Sequence, residues 1–157
     1  MMFLVFLGGL LLGLAAMGIL VKTMMPAMMF ARHKSTLGFD ETVAALDESA
    51  RDKGWKIPEI RDLQQDYREA GLEEMTRVKI LYFCNPQGGY RILADDRHKP
   101  MSVMMPMGVS VFEARDGQVY VAAMNLGTMS MMFGGTVRQV LQEGAENLKK
   151  SLAGIAG

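Results

Sequence analysis

One cysteine, Cys84, is all the thiol the chain has, which excludes an intrachain disulfide and any multi-cysteine zinc site. Net charge is absent too: 17 Lys and Arg balance 17 Asp and Glu. Phosphate neutralisation needs a cationic face, so the balanced charge argues against a nucleic-acid partner, and none is expected. No internal repeat occurs, and neither Gly88-Gly89 nor Gly134-Gly135 sits in a GxGxxG or Walker pattern. No Ser/His/Asp set and no acid–base pair emerges from Glu113, Asp116 or Asp95-Asp96, so the expectation is a non-enzymatic protein. The last absence is positional. No charged residue precedes Lys22. At 157 residues the chain has room for one domain plus an appendage.

What is present divides along that line. Met1 to Val21 reads MMFLVFLGGLLLGLAAMGILV, and at about 1.5 Å per residue it spans roughly 31 Å as a helix, the thickness of a bilayer core. Residues 1–22 are expected to be a transmembrane anchor, with Lys22 snorkelling to the headgroups. A secretory signal is the competing reading, with Leu14-Ala15-Ala16 or Ala27 as cleavage positions. It lacks a basic leading segment, and the apolar run is longer than such signals use. Lys22, Arg32 and Lys34 precede the first acid, Asp40, so the charge rule leans towards a cytoplasmic domain, with a periplasmic one as the alternative. Gly9 and Gly13 form a GxxxG step, the spacing that lets two helix backbones meet in lipid.

After a linker at 23–27, broken by Pro26, the pattern from 28 to 153 predicts an α+β domain with a largely antiparallel sheet. Met28 to Ser35 is an expected strand. Phe39, Val43, Leu46 and Ala50 mark a helix stopped by Gly54. Trp55-Lys56-Ile57 is expected as an edge strand before Pro58, and Asp62 to Ala70 as a polar helix. Arg77 to Cys84 is a strand, Pro86 to Leu93 a short helix and Asp95 to Lys99 a charged loop. Val103 to Ala114 and Gln118 to Leu126 are expected to pair through the Asp116-Gly117 turn. Val137, Val140, Leu141, Ala145, Leu148 and Leu152 place the apolar stripe of a last helix, ahead of a frayed Ala/Gly tail.

Several ordered motifs resemble one family. They are Gly38-Phe39-Asp40-Glu41-Thr42-Val43, Gly54-Trp55, Cys84-Asn85-Pro86, Met105-Pro106-Met107, Val111-Phe112-Glu113 before Asp116-Gly117, Val119-Tyr120-Val121 and Met124-Asn125. Over residues 28–153 the chain resembles the domain of unknown function 302 family. The resemblance implies a compact α+β domain similar to the TATA-binding-protein-like fold, often dimeric, and no established reaction. Many members carry a cysteine directly after the second proline, where this chain has Met107. A paired-thiol role is thereby excluded, while two soft sulfurs are kept.

Methionine is the most unusual component, at 16 residues. Met24, Met25, Met28 and Met29 follow the apolar run. Met101, Met104, Met105 and Met107 surround Pro106, and Met124, Met129, Met131 and Met132 follow the last strand. Thioethers are soft ligands that select Cu(I), and Cys84 stands before a helix N-terminus that favours a thiolate. Cys84, Met105 and Met107 are therefore candidate metal ligands. Haem is a further possibility, with Cys84, a methionine, His33 or His98 as axial ligand. Against this, methionine commonly fills irregular cores and contact surfaces, and both histidines read as solvated among basic neighbours. Met129, Met131, Met132 and Phe133 form an apolar stretch suited to a partner or the bilayer. The expectation is an accessory subunit contacting lipid and other membrane-protein chains or itself. The alternative is a soft-metal or haem carrier centred on Cys84.

Overall fold

A computed structural model describes residues 2–72 and 75–156. The first helix, α1 (Met2–Met29), is longer than the apolar run. Within it Phe6–Met25 has a mean hydropathy of 1.9, and none of it is buried by the rest of the chain. One helix is thus long and apolar enough to cross a membrane. The expected linker at 23–27 is helical instead. Pro26 cannot donate to the carbonyl of Lys22, a local cost of about 3 kcal/mol in a helix interior. Two features hold the helix on either side of that gap. Thr23 Oγ1 donates to the carbonyls of Ile19 at 3.0 Å and Leu20 at 3.1 Å, and the Asn125 N–H donates to the Met29 carbonyl at 2.8 Å.

Five strands follow: β1 (Phe30–Lys34), β2 (Ile60–Asp62), β3 (Val78–Phe83), β4 (Met107–Glu113) and β5 (Val119–Met124). They form one sheet in the order β1-β5-β4-β3-β2, each neighbour antiparallel. Strand alternation sends Leu81, Phe83, Met107, Val109, Val111, Val119, Val121 and Ala123 to one face, where all are buried. Helices α2 (Phe39–Asp52) and α6 (Gly135–Leu152) supply Leu46, Ala50, Val137, Leu141 and Leu148 to the same core. The opposite sheet face is half-buried, with Phe112 and Tyr120 stacked at 5.4 Å and Arg32 lying 4.6 Å over Tyr120. The chain is α+β, with an antiparallel sheet packed against helices.

Three remaining helices close the ends: α3 (Leu63–Glu69), α4 (Pro86–Leu93) and α5 (Leu126–Ser130). Four expectations need correction. Trp55-Lys56-Ile57 makes only a single bridge, Lys56 to Cys84, and the edge strand is β2, beyond Pro58. The loop expected at Asp95–Lys99 is part of a 3-10 turn over Asp96–Met104. That turn also replaces the expected start of a strand at Val103, which is 87% exposed. Pro106 has no N–H for a ladder, so β4 begins at Met107. Lastly, the tail is not frayed. Gly154, at φ +86°, turns the chain so that Ile155 is buried and its carbonyl accepts from the Thr36 N–H at 3.0 Å.

Candidate functional site

The sheet register decides where the sulfur atoms gather. Phe83 lies opposite Met107, Val109 opposite Ala123, and Met124 opposite Phe30. The end of β3, the start of β4, the end of β5 and the start of β1 therefore share one end of the sheet. Cys84, Met105 and Met124 are carried to that end together, although they come from separate segments.

Local structure fixes the wall. Cys84 exchanges two backbone hydrogen bonds with Lys56, each 2.8 Å, which pins it at the strand end. Asn85 caps α4 by accepting the Gly88 N–H at 3.0 Å, and Pro86 takes the first helical position, where a missing N–H costs nothing. A Cβ on Gly88 would lie 2.9 Å from both Asn85 Nδ2 and Val140 Cγ1, so only glycine lets α4 sit this close to α6. A Cβ on Gly89 would lie 3.7 Å from Met105 Sδ, an ordinary contact. Gly144 on α6 lies against α5 in turn, since a Cβ there would be 3.1 Å from Leu126 Cδ1.

Between this end of the sheet and helices α4, α5 and α6 lies a cavity of about 370 Å³. Cys84 and six methionines line it: Met101, Met104, Met105, Met107, Met124 and Met129. Among the described residues no charged side chain lines it. Trp55, the chain's one tryptophan, is also on the wall, tilted against Phe83 at 5.4 Å between ring centroids. Its Nε1 is buried without a hydrogen-bond partner among the described residues. Unbranched thioether side chains adapt to an irregular occupant, and an unfilled apolar space forfeits their dispersion contacts.

The candidate metal ligands Cys84, Met105 and Met107 thus all lie on this wall. Among the described residues no three of His, Cys, Asp and Glu cluster as a metal site, so a soft ion would depend on thiolate and thioethers. Neither histidine lines the cavity. His33 is exposed on β1, whereas His98, expected to be solvated, is half-buried with its Nδ1 unpartnered among the described residues. The stretch read as a contact surface is split. Met131 and Met132 are 65% and 79% exposed, while Met129 and Phe133 pack against the core.

The carboxylates lie elsewhere. Glu113 ends β4 at the far end of the sheet, where Arg77 Nε donates to its Oε2 at 2.9 Å and holds its carboxyl below the ordinary value. Asp95 is lowered far more, by side-chain and backbone hydrogen bonds from Arg97. Asp116 accepts the Gln118 N–H in the hairpin turn, at 3.0 Å. Trp55, Tyr90 and Gly144 are wall residues outside the candidate set read from the sequence. A signal existed for Gly144, since a glycine on the apolar stripe of α6 marks a close approach. Tyr90 carries none, and Trp55 enters only through the Gly54-Trp55 motif of the family resemblance.

A family model described as "Domain of unknown function DUF302" matches residues 31–155. A search of curated proteins returns no match. Among solved structures, the crystal structure of an uncharacterised conserved DUF302 protein from Bacillus stearothermophilus is similar, with a TM-score of 0.70. The two are 21% identical, and the likeness covers 80% of this chain and 97% of that one. Identity at that level speaks for the fold, while the family match spans β1 to the buried tail. On that match the chain belongs to the DUF302 family, with α1 lying ahead of the matched residues.

Proposed function

We propose that the chain is a membrane-anchored, non-enzymatic binding module, an accessory component whose functional centre is the methionine-lined cavity. One observation carries this reading. A cavity of about 370 Å³, within the range of small-molecule sites, has a wall of thioether, thiol and aromatic groups and no charged side chain among the described residues. Such a wall can hold an apolar molecule but offers little to ionise, polarise or deprotonate a substrate. Helix α1 supplies the anchor, and Lys22, Arg32 and Lys34 favour a domain on the cytoplasmic side. Exposed Met131 and Met132 suit contact with the bilayer or a partner subunit. The flanks of Gly9 and Gly13 are open within the chain, leaving room for a second helix.

A second reading rests on Cys84, Met105 and Met107 sharing one wall, a donor set suited to Cu(I). Haem in this cavity would need Cys84, a methionine or Tyr90 as its axial ligand, because no histidine lines it. One preparation separates the two. The full chain is solubilised gently from membranes, and its bound small molecules, metals and visible spectrum are measured together. The expected result is a colourless protein with substoichiometric copper that releases an apolar molecule on organic extraction. Stoichiometric copper or a Soret band, lost in Cys84→Ala, would replace the first reading with the carrier. Colourless, ligand-free and metal-free protein holding a partner chain would move the function to the exposed surfaces.

A further inference from the structure

The cavity and the membrane helix meet at the same end of the sheet. Helix α1 runs directly into β1, and its last residue, Met29, accepts a 2.8 Å hydrogen bond from the Asn125 N–H. Asn125 lies between Met124 and Leu126, both of which line the cavity. One residue therefore separates the cavity wall from the end of the anchor. Several exposed apolar side chains lie on this wall or close to it in sequence. Tyr90, on the wall itself, is 77% exposed, Val103 projects from the turn that carries Met104, and Met131 and Met132 follow Met129. Single exposed apolar side chains are ordinary, whereas a group of them beside a cavity marks a surface for lipid or protein. Here Tyr90 lies on the wall and the others neighbour wall residues in sequence, and the cavity adjoins a helix that is long and apolar enough to lie in lipid.

We infer that the cavity is loaded from the bilayer and that its occupant is the hydrocarbon chain of a membrane lipid. This rests on the proposed anchor and on the cavity being the binding site, and adds the class of ligand and its route. The wall favours a plain hydrocarbon chain over a polar soluble ligand, since no charged side chain among the described residues would grip a headgroup inside it. The headgroup stays at the interface while the chain inserts among the methionines. Their unbranched side chains accommodate a flexible guest without demanding one shape.

Trp55 is the only tryptophan and lies on the wall, so its fluorescence reports the occupant. The full chain is reconstituted in phosphatidylcholine vesicles whose acyl chains carry bromine, a contact quencher, and compared with unbrominated vesicles. At least a twofold loss of Trp55 emission is expected. Gly89→Leu, which adds bulk beside Met105 Sδ, should restore the emission while keeping a cooperative melt. Met129→Phe, narrowing the cavity from α5, serves if Gly89→Leu does not fold. Equal quenching in the parent and a folded cavity-filling variant would mean that Trp55 merely lies near lipid, and overturns the inference. If brominated lipid has no effect but brominated dodecanoate added from water quenches, the cavity binds chains without drawing them from the bilayer. Loading from lipid then fails while the binding site stands. Quenching by neither overturns both.

Discussion

Arg77 shows how much a single side chain at a strand start can tie together. Its Nε and Nη2 bond Glu113 on β4 at 2.9 and 3.4 Å, its Nη1 bonds Asp40 on α2 at 3.1 Å, and its guanidinium lies 4.5 Å over the Phe39 ring. The Glu113 carboxyl is lowered chiefly by the Arg77 hydrogen bond, and Arg77 is raised by the same bond. A carboxyl lowered by folding stabilises the fold above its unfolded pKa and loses that effect as pH falls through its folded value. Asp95 is lowered as well, so the parent chain has more than one such loss on acidification. Glu113→Gln removes one of them. Its melting temperature should lie below the parent's at pH 7, and the gap should narrow by pH 3, with Trp55 emission reporting the melt. A constant gap across that range would show that the pair does not contribute through its charge. Residue types alone single out Cys84, Met105 and Met107 as soft candidate ligands, Cys84 two residues before Pro86 and the methionines on either side of Pro106. They do not place Trp55 or Gly144 on the same wall, which both reach from segments remote in sequence, although the glycine on the α6 stripe already marks a close approach.

Elements were readable where their signal is local. The β4–β5 hairpin follows from Asp116-Gly117, with Gly117 at φ +81°, and the stripes of α2 and α6 follow from three- and four-residue spacing. Reading failed where a long-range contact or a proline outweighed composition. Val103 to Met105 is as apolar as a strand, yet it ends a 3-10 turn, because Pro106 cannot join the ladder. By composition the Ala/Gly tail reads as frayed. Ile155 is only 4% exposed, and its carbonyl accepts from both the N–H and the hydroxyl of Thr36. Ile155→Ala should therefore destabilise the domain by about 2–4 kcal/mol, as buried branched side chains do when truncated. Urea unfolding of the full chain in mild detergent measures this. A loss under about 1 kcal/mol, below the usual range for such truncations, would mean that the tail is not part of the cooperative core.

At the scale of the whole molecule, a balanced net charge and 50% hydrophobic content average two unlike parts, an uncharged helix and an ordinary charged domain. Where the helix places the domain has chemical consequences. On the proposed anchored reading, Lys22, Arg32 and Lys34, all between the apolar run and Asp40, favour a cytoplasmic domain. A reducing compartment keeps a lone thiol free, so that orientation leaves Cys84 available to the cavity and not to a mixed disulfide. The competing signal-sequence reading predicts a mature chain that has lost the apolar run and a domain on the opposite side. Intact mass and protease access, measured on one membrane preparation, decide between them. The mass should include the residues before Lys22, and trypsin should degrade the domain in inside-out vesicles but not in right-side-out ones. Lys22→Gln with Lys34→Gln weakens the charge bias and leaves Arg32 on Tyr120, so part of the population should become protected in inside-out vesicles. A shortened mass, or protection of the parent chain in inside-out vesicles, would remove the cytoplasmic assignment and place Cys84 in an oxidising compartment.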